Sequence, residues 1–433
     1  MKFIKKYYKY FFIFLLAFLC NVVLRGCYYD SAVQYGMAHA VRIGEIPYVD
    51  FNMVSTPFYI FVCAIPLFIY DNFILFCLLN GLFVAIMYYF ADQIIKYHKL
   101  TFLLFSLLPF LDVFAFSYNL LCKVFIVLLI YCEGNKKNEY LIGFLLGLLF
   151  LSKHTIGIVV LFFVFLYYFL NHVNVFKRLI GFVIPIVVFF IYLLITKSWY
   201  EFIDLCFLGL FNFGGHNSYH NGLLLVVTII SALFLMWNIF KDKTNIIPYY
   251  ALGSLSFIIP ICDYNHFASY FIIFLIFVFY KYDVKLNYII FNIFLVILLI
   301  SITVYNKMNF FHDVEFLNYP HFLGYAVYEE KNNIVQVLDQ YQKYDNAVIL
   351  SPNSMFYDVS LNHKVTYFDL PLRGNYGHKG TDKMIGYLKN DTYYFIDNLY
   401  SNAQFDQELC KYIVNRSTYI GEVGTFSIYY YNV

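Results

Sequence analysis

Residues able to carry out group transfer fall in four polar clusters along this chain, each set against long apolar runs. The first is Asp30 with Asp50, in the stretch from Cys27 to Pro57. The second pairs Asp112 with Asn119. The third is Lys153 and His154 in SKHTIG, and the fourth is Asp263, Asn265 and His266 in CDYNHF. A further loop, WYEFIDLCFLGLFNFGGHNSYHN, adds Glu201, Asp204, His216 and His220. Ionisable side chains at membrane depth are costly and are functional candidates by default. A carboxylate at the interface suits a general base acting on an acceptor hydroxyl. Lysine and histidine suit stabilisation of the charge that develops on a departing phosphate. A sugar transferred this way is expected to invert at its anomeric carbon, with the base on the face opposite the leaving group. The competing reading of any one of these acids or histidines is a solvated loop residue or a helix cap. For Lys153, between two short apolar segments, the competing reading is snorkelling, and Lys123, about a turn inside its span, is open to the same account.

The elements that must position these residues follow from composition. Hydrophobic residues make up 62% of the chain and charged ones 13%, with a mean hydropathy of +0.67. Soluble domains carry roughly a quarter charged residues, so the expected class is a polytopic α-helical membrane protein. A net charge of +2, spread over short loops, offers no patch for nucleic acid. Nine cysteines without a C-x-x-C pair signal neither a metal site nor a disulfide framework. The basic start MKFIKKYYK precedes an apolar run from Tyr10 to Leu24 with no cleavage signal, which reads as a retained first span with a cytoplasmic N-terminus. Residues 57–70 are too short for a span and contain Pro66, so they read as an interfacial helix. Further spans are expected near 73–95, 100–115, 118–133, 140–152, 156–171, 178–197, 222–240, 247–261, 266–281 and 286–304. With those boundaries every cytoplasmic turn holds a basic pair, from Lys96 and Lys99 to Lys281 and Lys285. The count is about eleven spans, N-terminus in and C-terminus out.

From about residue 305 charged residues become common. Helix-like pieces (Asn332–Tyr344, Asp382–Leu388, Gln404–Val414) alternate with strand-like pieces (Ala347–Leu350, Val365–Phe368, Tyr393–Ile396, Thr425–Tyr431). The expected organisation is a transmembrane domain over 1–304, with its first external loop at 25–57, and a small extracytoplasmic α/β domain over 305–433. The stretch Arg373-Gly374-Asn375-Tyr376-Gly377-His378-Lys379-Gly380 reads as a turn in preference to a phosphate-binding loop.

Asp30-x4-Tyr35-x2-Ala38, Gly44-x2-Pro47-Tyr48-x-Asp50 and Thr56-Pro57 together resemble the first external loop of the GT-C glycosyltransferases. The likeness is to the bacterial branch similar to protein mannosyltransferases and the lipid A aminoarabinose transferase. It extends over roughly residues 8–304, including the hairpin at Ser152-Lys153-His154-Thr155-x-Gly157. The resemblance implies a polyprenyl-phosphate sugar donor, Asp30 in the catalytic acid position and Lys153 near the donor phosphate. Two departures lower the number of carboxylates: Asp30-Ser31 stands where the family often has Asp-Glu, and Asn119 where it has a second acid. No cofactor is assigned, and a divalent metal stays open. The expectation is a plasma-membrane glycosyltransferase with an extracytoplasmic site, in which Asp30 is catalytic. Asp50, Tyr35, Asn119, Lys153, His154, Asp263 and His266 would bind substrate. Its partners would be the lipid-linked sugar donor, a glycan or lipid-linked acceptor and membrane lipids, with no nucleic acid. The rivals are a flippase or transporter of lipid-linked oligosaccharide, expected to show internal repeats, and a polymerase, expected to carry Arg in an external loop where 198–221 has none.

Overall fold

The computed structural model describes residues 2–24, 29–111, 117–259, 261–282, 315–323, 325–327, 331–369, 371–398 and 405–433. Asp112 and the expected span at 286–304 lie outside them. Helices stand at the apolar runs: α1 (Lys2–Leu24), α2 (Tyr29–Arg42), α3 (Phe58–Leu67), α4 (Phe73–Ile94), α5 (His98–Leu111), α6 (Tyr118–Gly134), α7 (Glu139–Ser152), α8 (His154–Leu170) and α9 (Phe176–Ile195). They continue as α10 (Trp199–Ile203), a π-helical turn at Asp204–Leu208, α11 (Leu210–Asn217), α12 (Gly222–Lys241), α13 (Ile247–Gly253) with a 3₁₀ extension to Ile258, and α14 (Tyr264–Lys281). Among the described residues α4, α9, α12 and α14 are long and apolar enough to cross a membrane. The most apolar stretches of α9 and α12 are only 22% and 28% buried, so each exposes apolar side chains that water would penalise and lipid would not. Residues 57–70 form the ten-residue α3, as their length predicts.

The chain divides into two compact units. One comprises Met1–Arg25, Cys77–Phe189 and Tyr219–His312; the other comprises Gly26–Phe76, Phe190–Ser218 and Asp313–Val433. In the first, polar caps set the helix starts. The Ser117 hydroxyl accepts from Leu120 N, Asn221 accepts from Leu223 N and Leu224 N, and Asp263 accepts from Asn265 N and His266 N. The turn from α7 to α8 is a single residue, Lys153, in an extended conformation. The two helices can fold back so sharply because Gly157 lies against Phe150, where a Cβ would sit 2.4 Å from the Phe150 Cα. Two acids of this unit are paired: Asp92 accepts from Lys9, and from Tyr10 at 2.9 Å, while Glu133 accepts from Tyr168, and from Arg178 at 3.1 Å.

The second unit contains a four-stranded sheet of β5 (Ala347–Leu350), β6 (Thr392–Asp397), β7 (Ser417–Val423) and β8 (Phe426–Tyr431), numbered after the short β1 (Tyr219–His220), β2 (Ile261–Cys262), β3 (Glu315–Leu317) and β4 (Tyr325–Val327). Its order is β5-β6-β8-β7, with β5 and β6 parallel and the remaining pairs antiparallel. Helices α15 (Lys331–Tyr341), α16 (Ser354–Ser360), α17 (Gly380–Ile385) and α18 (Gln407–Val414) accompany it. Leu409, Cys410 and Ile413 of α18 close the core with Tyr394, Ile396 and Tyr431 from the sheet. The mixed sheet matches the α/β expectation, with two differences. Residues 365–368 are irregular and turn-like, because Asp369 draws the Thr366 N–H into a local hydrogen bond. The strand β7 was not expected; its side chains are exposed or half-buried and it is held by pairing with β8.

Candidate active site

The polar residues of the second unit are built around α2. Asp30 lies in its first turn, exposed, where an acid complements the helix dipole. Tyr35, His39 and Arg42 follow at i, i+4 and i+7 on one side of the helix. Tyr35 is fully buried and its hydroxyl donates to Asp71 Oδ1 at 3.0 Å. Asp71, between α3 and α4, also meets His39 Nδ1 at 2.7 Å, Arg42 Nη1 at 3.3 Å and His321 Nδ1 at 3.3 Å, all at Oδ2. Burial alone would raise this carboxyl; the His39 hydrogen bond and charge, with His321 and Tyr35, hold it below the ordinary carboxylate range. Sequence reasoning passed over Asp71, His39 and His321. The spacing of Tyr35, His39 and Arg42 was a legible signal that these three partners share a helix face, whereas His321 carried none.

The turn after α2 is rigid. Asp50 is exposed and its Oδ2 accepts from Ile46 N at 2.7 Å, so it braces the Pro47-Tyr48 corner. Tyr48 takes a left-handed conformation, φ 69°, held by its hydroxyl donating to Ser55 O at 2.5 Å and its N–H donating to Phe51 O. Glu45 is a second residue that the sequence did not single out. It is 6% exposed. Burial, then repulsion from Asp50, pushes its carboxyl up to about 7. Nearby, Asp358 and Asp369 form a buried acid pair. Burial raises both, Asp358 to about 6, so the pair shares protons where isolated carboxyls would be ionised.

In the first unit the structure joins residues of two separate expected clusters, Lys153 and Asn119, and keeps Asp263 and His266 of a third together. The Lys153 ammonium lies 3.3 Å from Asn119 Oδ1 and 4.3 Å from the Tyr118 ring centroid. Among the described residues no carboxylate is within ion-pair reach of it. His154, next in sequence, is buried. Asp263 is the N-cap of α14 and also meets His266 Nδ1 at 2.8 Å; burial would raise its carboxyl, but the His266 hydrogen bond and charge bring it below the usual range. Lys123 is buried in α6, with its ammonium 3.3 Å from Ser269 Oγ on α14. The stretch 198–221, expected as a loop, is largely helical, as α10, the π-helical turn and α11; within the second unit its Asp204 accepts from His378 N at 3.1 Å and Lys383 lies against Glu201. Gly374, Gly377 and Gly380 all have positive φ, the geometry of turns. Chemically, the second unit offers an exposed carboxylate at a helix start and a histidine-rich cluster about Asp71, and the first unit offers a lysine ammonium beside an amide oxygen and a ring face. Comparison with protein-family models, with characterised proteins and with solved structures finds no match to this chain.

Proposed function

We propose that the protein is an integral membrane glycosyltransferase that moves a sugar from a polyprenyl-phosphate donor to an extracytoplasmic acceptor, a cell-surface glycan or lipid-linked saccharide. The observation that carries the reading is Lys153. A cation interrupting two apolar helices ordinarily finds a carboxylate, because an unpaired charge there is costly. Here it has an amide oxygen and a ring face, at the start of α6. An anionic group arriving at that point would gain both the ammonium and the helix N-terminus. A lipid phosphate is the anion that reaches such a place.

In this reading Asp30 is the general base that takes the proton of the acceptor hydroxyl as its oxygen attacks the anomeric carbon, while the phosphate leaves with the bonding electrons. Its exposure suits contact with an acceptor. Asp50 is a bracing residue, since its carboxylate already holds the Ile46 N–H. The proposed topology has about eleven spans, N-terminus in and C-terminus out, with the site and the C-terminal sheet outside the cell.

Transfer and donor binding measured on Asp30→Asn and Lys153→Ala test the reading. Asparagine caps a helix about as well as aspartate but cannot accept a proton at neutral pH. Asp30→Asn should therefore bind a polyprenyl-phosphate sugar normally while transfer drops roughly 10²-fold or more. Lys153→Ala should weaken donor binding, by about 2–3 kcal/mol for one charge-assisted contact. Full transfer by Asp30→Asn rejects its role as base, and unchanged donor affinity in Lys153→Ala removes the phosphate contact.

A further inference from the structure

His39, Asp71 and His321 come from three separate segments of the second unit: the last turns of α2, the link before α4, and the loop after β3. Asp71 is 32 residues from His39 and 250 from His321. Their ligand atoms all lie within 4.8 Å of one another. Both imidazoles present Nδ1 to the same carboxylate oxygen, Oδ2. The other oxygen, Oδ1, is occupied by the Tyr35 hydroxyl. The far nitrogen of His321, Nε2, is 2.7 Å from Asn362 Oδ1; with its hydrogen on Nε2 the ring turns its lone pair on Nδ1 inward. That lone pair then faces two oxygens, the Asp71 carbonyl at 2.9 Å and Oδ2 at 3.3 Å. Electron-rich atoms converging in this way repel unless a proton or a metal cation lies among them, and Arg42 offsets only the charge on Oδ2.

From this geometry we infer that His39 Nδ1, Asp71 Oδ2 and His321 Nδ1 form a binding site for a divalent first-row transition ion of the zinc type. Two imidazoles and one carboxylate are a borderline-soft donor set, which suits zinc and its neighbours and not magnesium or calcium. A tetrahedral ion with bonds of about 2.0–2.1 Å holds its ligands roughly 3.3 Å apart. The His321–Asp71 distance of 3.3 Å already meets this. His39, at 2.7 Å, has to withdraw by about 0.6 Å and give up its Nδ1 proton to solvent as the metal–nitrogen bond forms. Arg42 meets the same oxygen, but its side chain is 36% exposed and can swing outward as the ion enters. Three protein ligands leave a fourth position for water or a substrate oxygen. The Tyr35 and Asn362 contacts act as outer supports, fixing which carboxylate oxygen and which imidazole nitrogen face the ion. Such an ion would pin α2, the helix that begins with Asp30, to two segments distant in sequence.

The test uses the full-length protein in detergent, stripped with chelator, titrated with zinc against a chromophoric competitor and assayed for metal by mass spectrometry. One zinc per chain is expected, not displaced by millimolar magnesium. His39→Ala and His321→Ala should lose it. Asn362 is exposed and has φ 57°, so Asn362→Gly should fold normally yet bind zinc about 10- to 100-fold more weakly. Substoichiometric zinc on the wild type overturns the inference. So does undiminished zinc on His39→Ala and His321→Ala or, should those variants fail to fold, wild-type affinity in Asn362→Gly. The measurement involves no glycosyl transfer, so its outcome is independent of the proposed activity.

Discussion

Glu45→Gln isolates the cost of a buried charge in the first loop. In the folded chain this carboxyl is raised from 4.5 to about 7, chiefly by burial and then by Asp50, with Asp369 adding to it. The Val365 backbone and Lys364 work in the opposite direction. Because the folded value lies above the unfolded one, the native protein holds more protons than the unfolded chain between pH 4.5 and about 7. Stability contributed by this group is therefore present below 4.5 and is lost as the pH rises through 7. Holding the ionised form at pH 8 costs about 3 kcal/mol, an upper figure given some solvent relaxation. Glutamine keeps the shape and an oxygen for the Val365 contact while removing the charge. The variant should be more stable than wild type by up to about 3 kcal/mol at pH 8 and equal to it near pH 4.5. Pulse proteolysis of the detergent-solubilised protein across pH 5 to 8 reads the difference directly. A gap between variant and wild type that does not change with pH, or a less stable variant at pH 8, would refute the account of Glu45 as a buried, strained acid.

Two other expectations bear on topology and packing. Cysteine placed at the exposed Lys379 should react in intact cells with a membrane-impermeant thiol reagent, and cysteine at the exposed Lys136 should not. The described native cysteines are all buried, which keeps the background low, and labelling at Lys136 alone would reverse the proposed orientation. Gly377→Ala should destabilise the second unit by roughly 1–3 kcal/mol, because the residue has φ +78° and a Cβ there would fall 2.1 Å from Asp204 Oδ2. A melting temperature unchanged from wild type would show that the turn at 374–378 and the π-helical turn at Asp204 give way freely.

The long apolar helices were legible because each depends on its own residues, whereas the short helices within 198–221 were read as a loop. Apolar runs bounded by Ser117, Asn138, Asn221 and Asp263 define where α6, α7, α12 and α14 begin, and a side-chain cap needs no distant partner. The break at Lys153 was legible for the same reason, since a lysine between two apolar segments marks where the chain turns. The strand β7 was not, because STYIGEV has no buried face of its own and becomes a strand only by pairing with β8. The chemistry at Asp71 also belongs to the tertiary structure. Its neighbours on α2 follow helical periodicity, but His321 arrives from 250 residues away. No local pattern encodes which distant side chain a closed loop brings to a carboxylate. Glu45 shows the same division: the sequence supplies an acid beside a turn, and only the residues packed over it decide that the acid holds its proton near neutral pH.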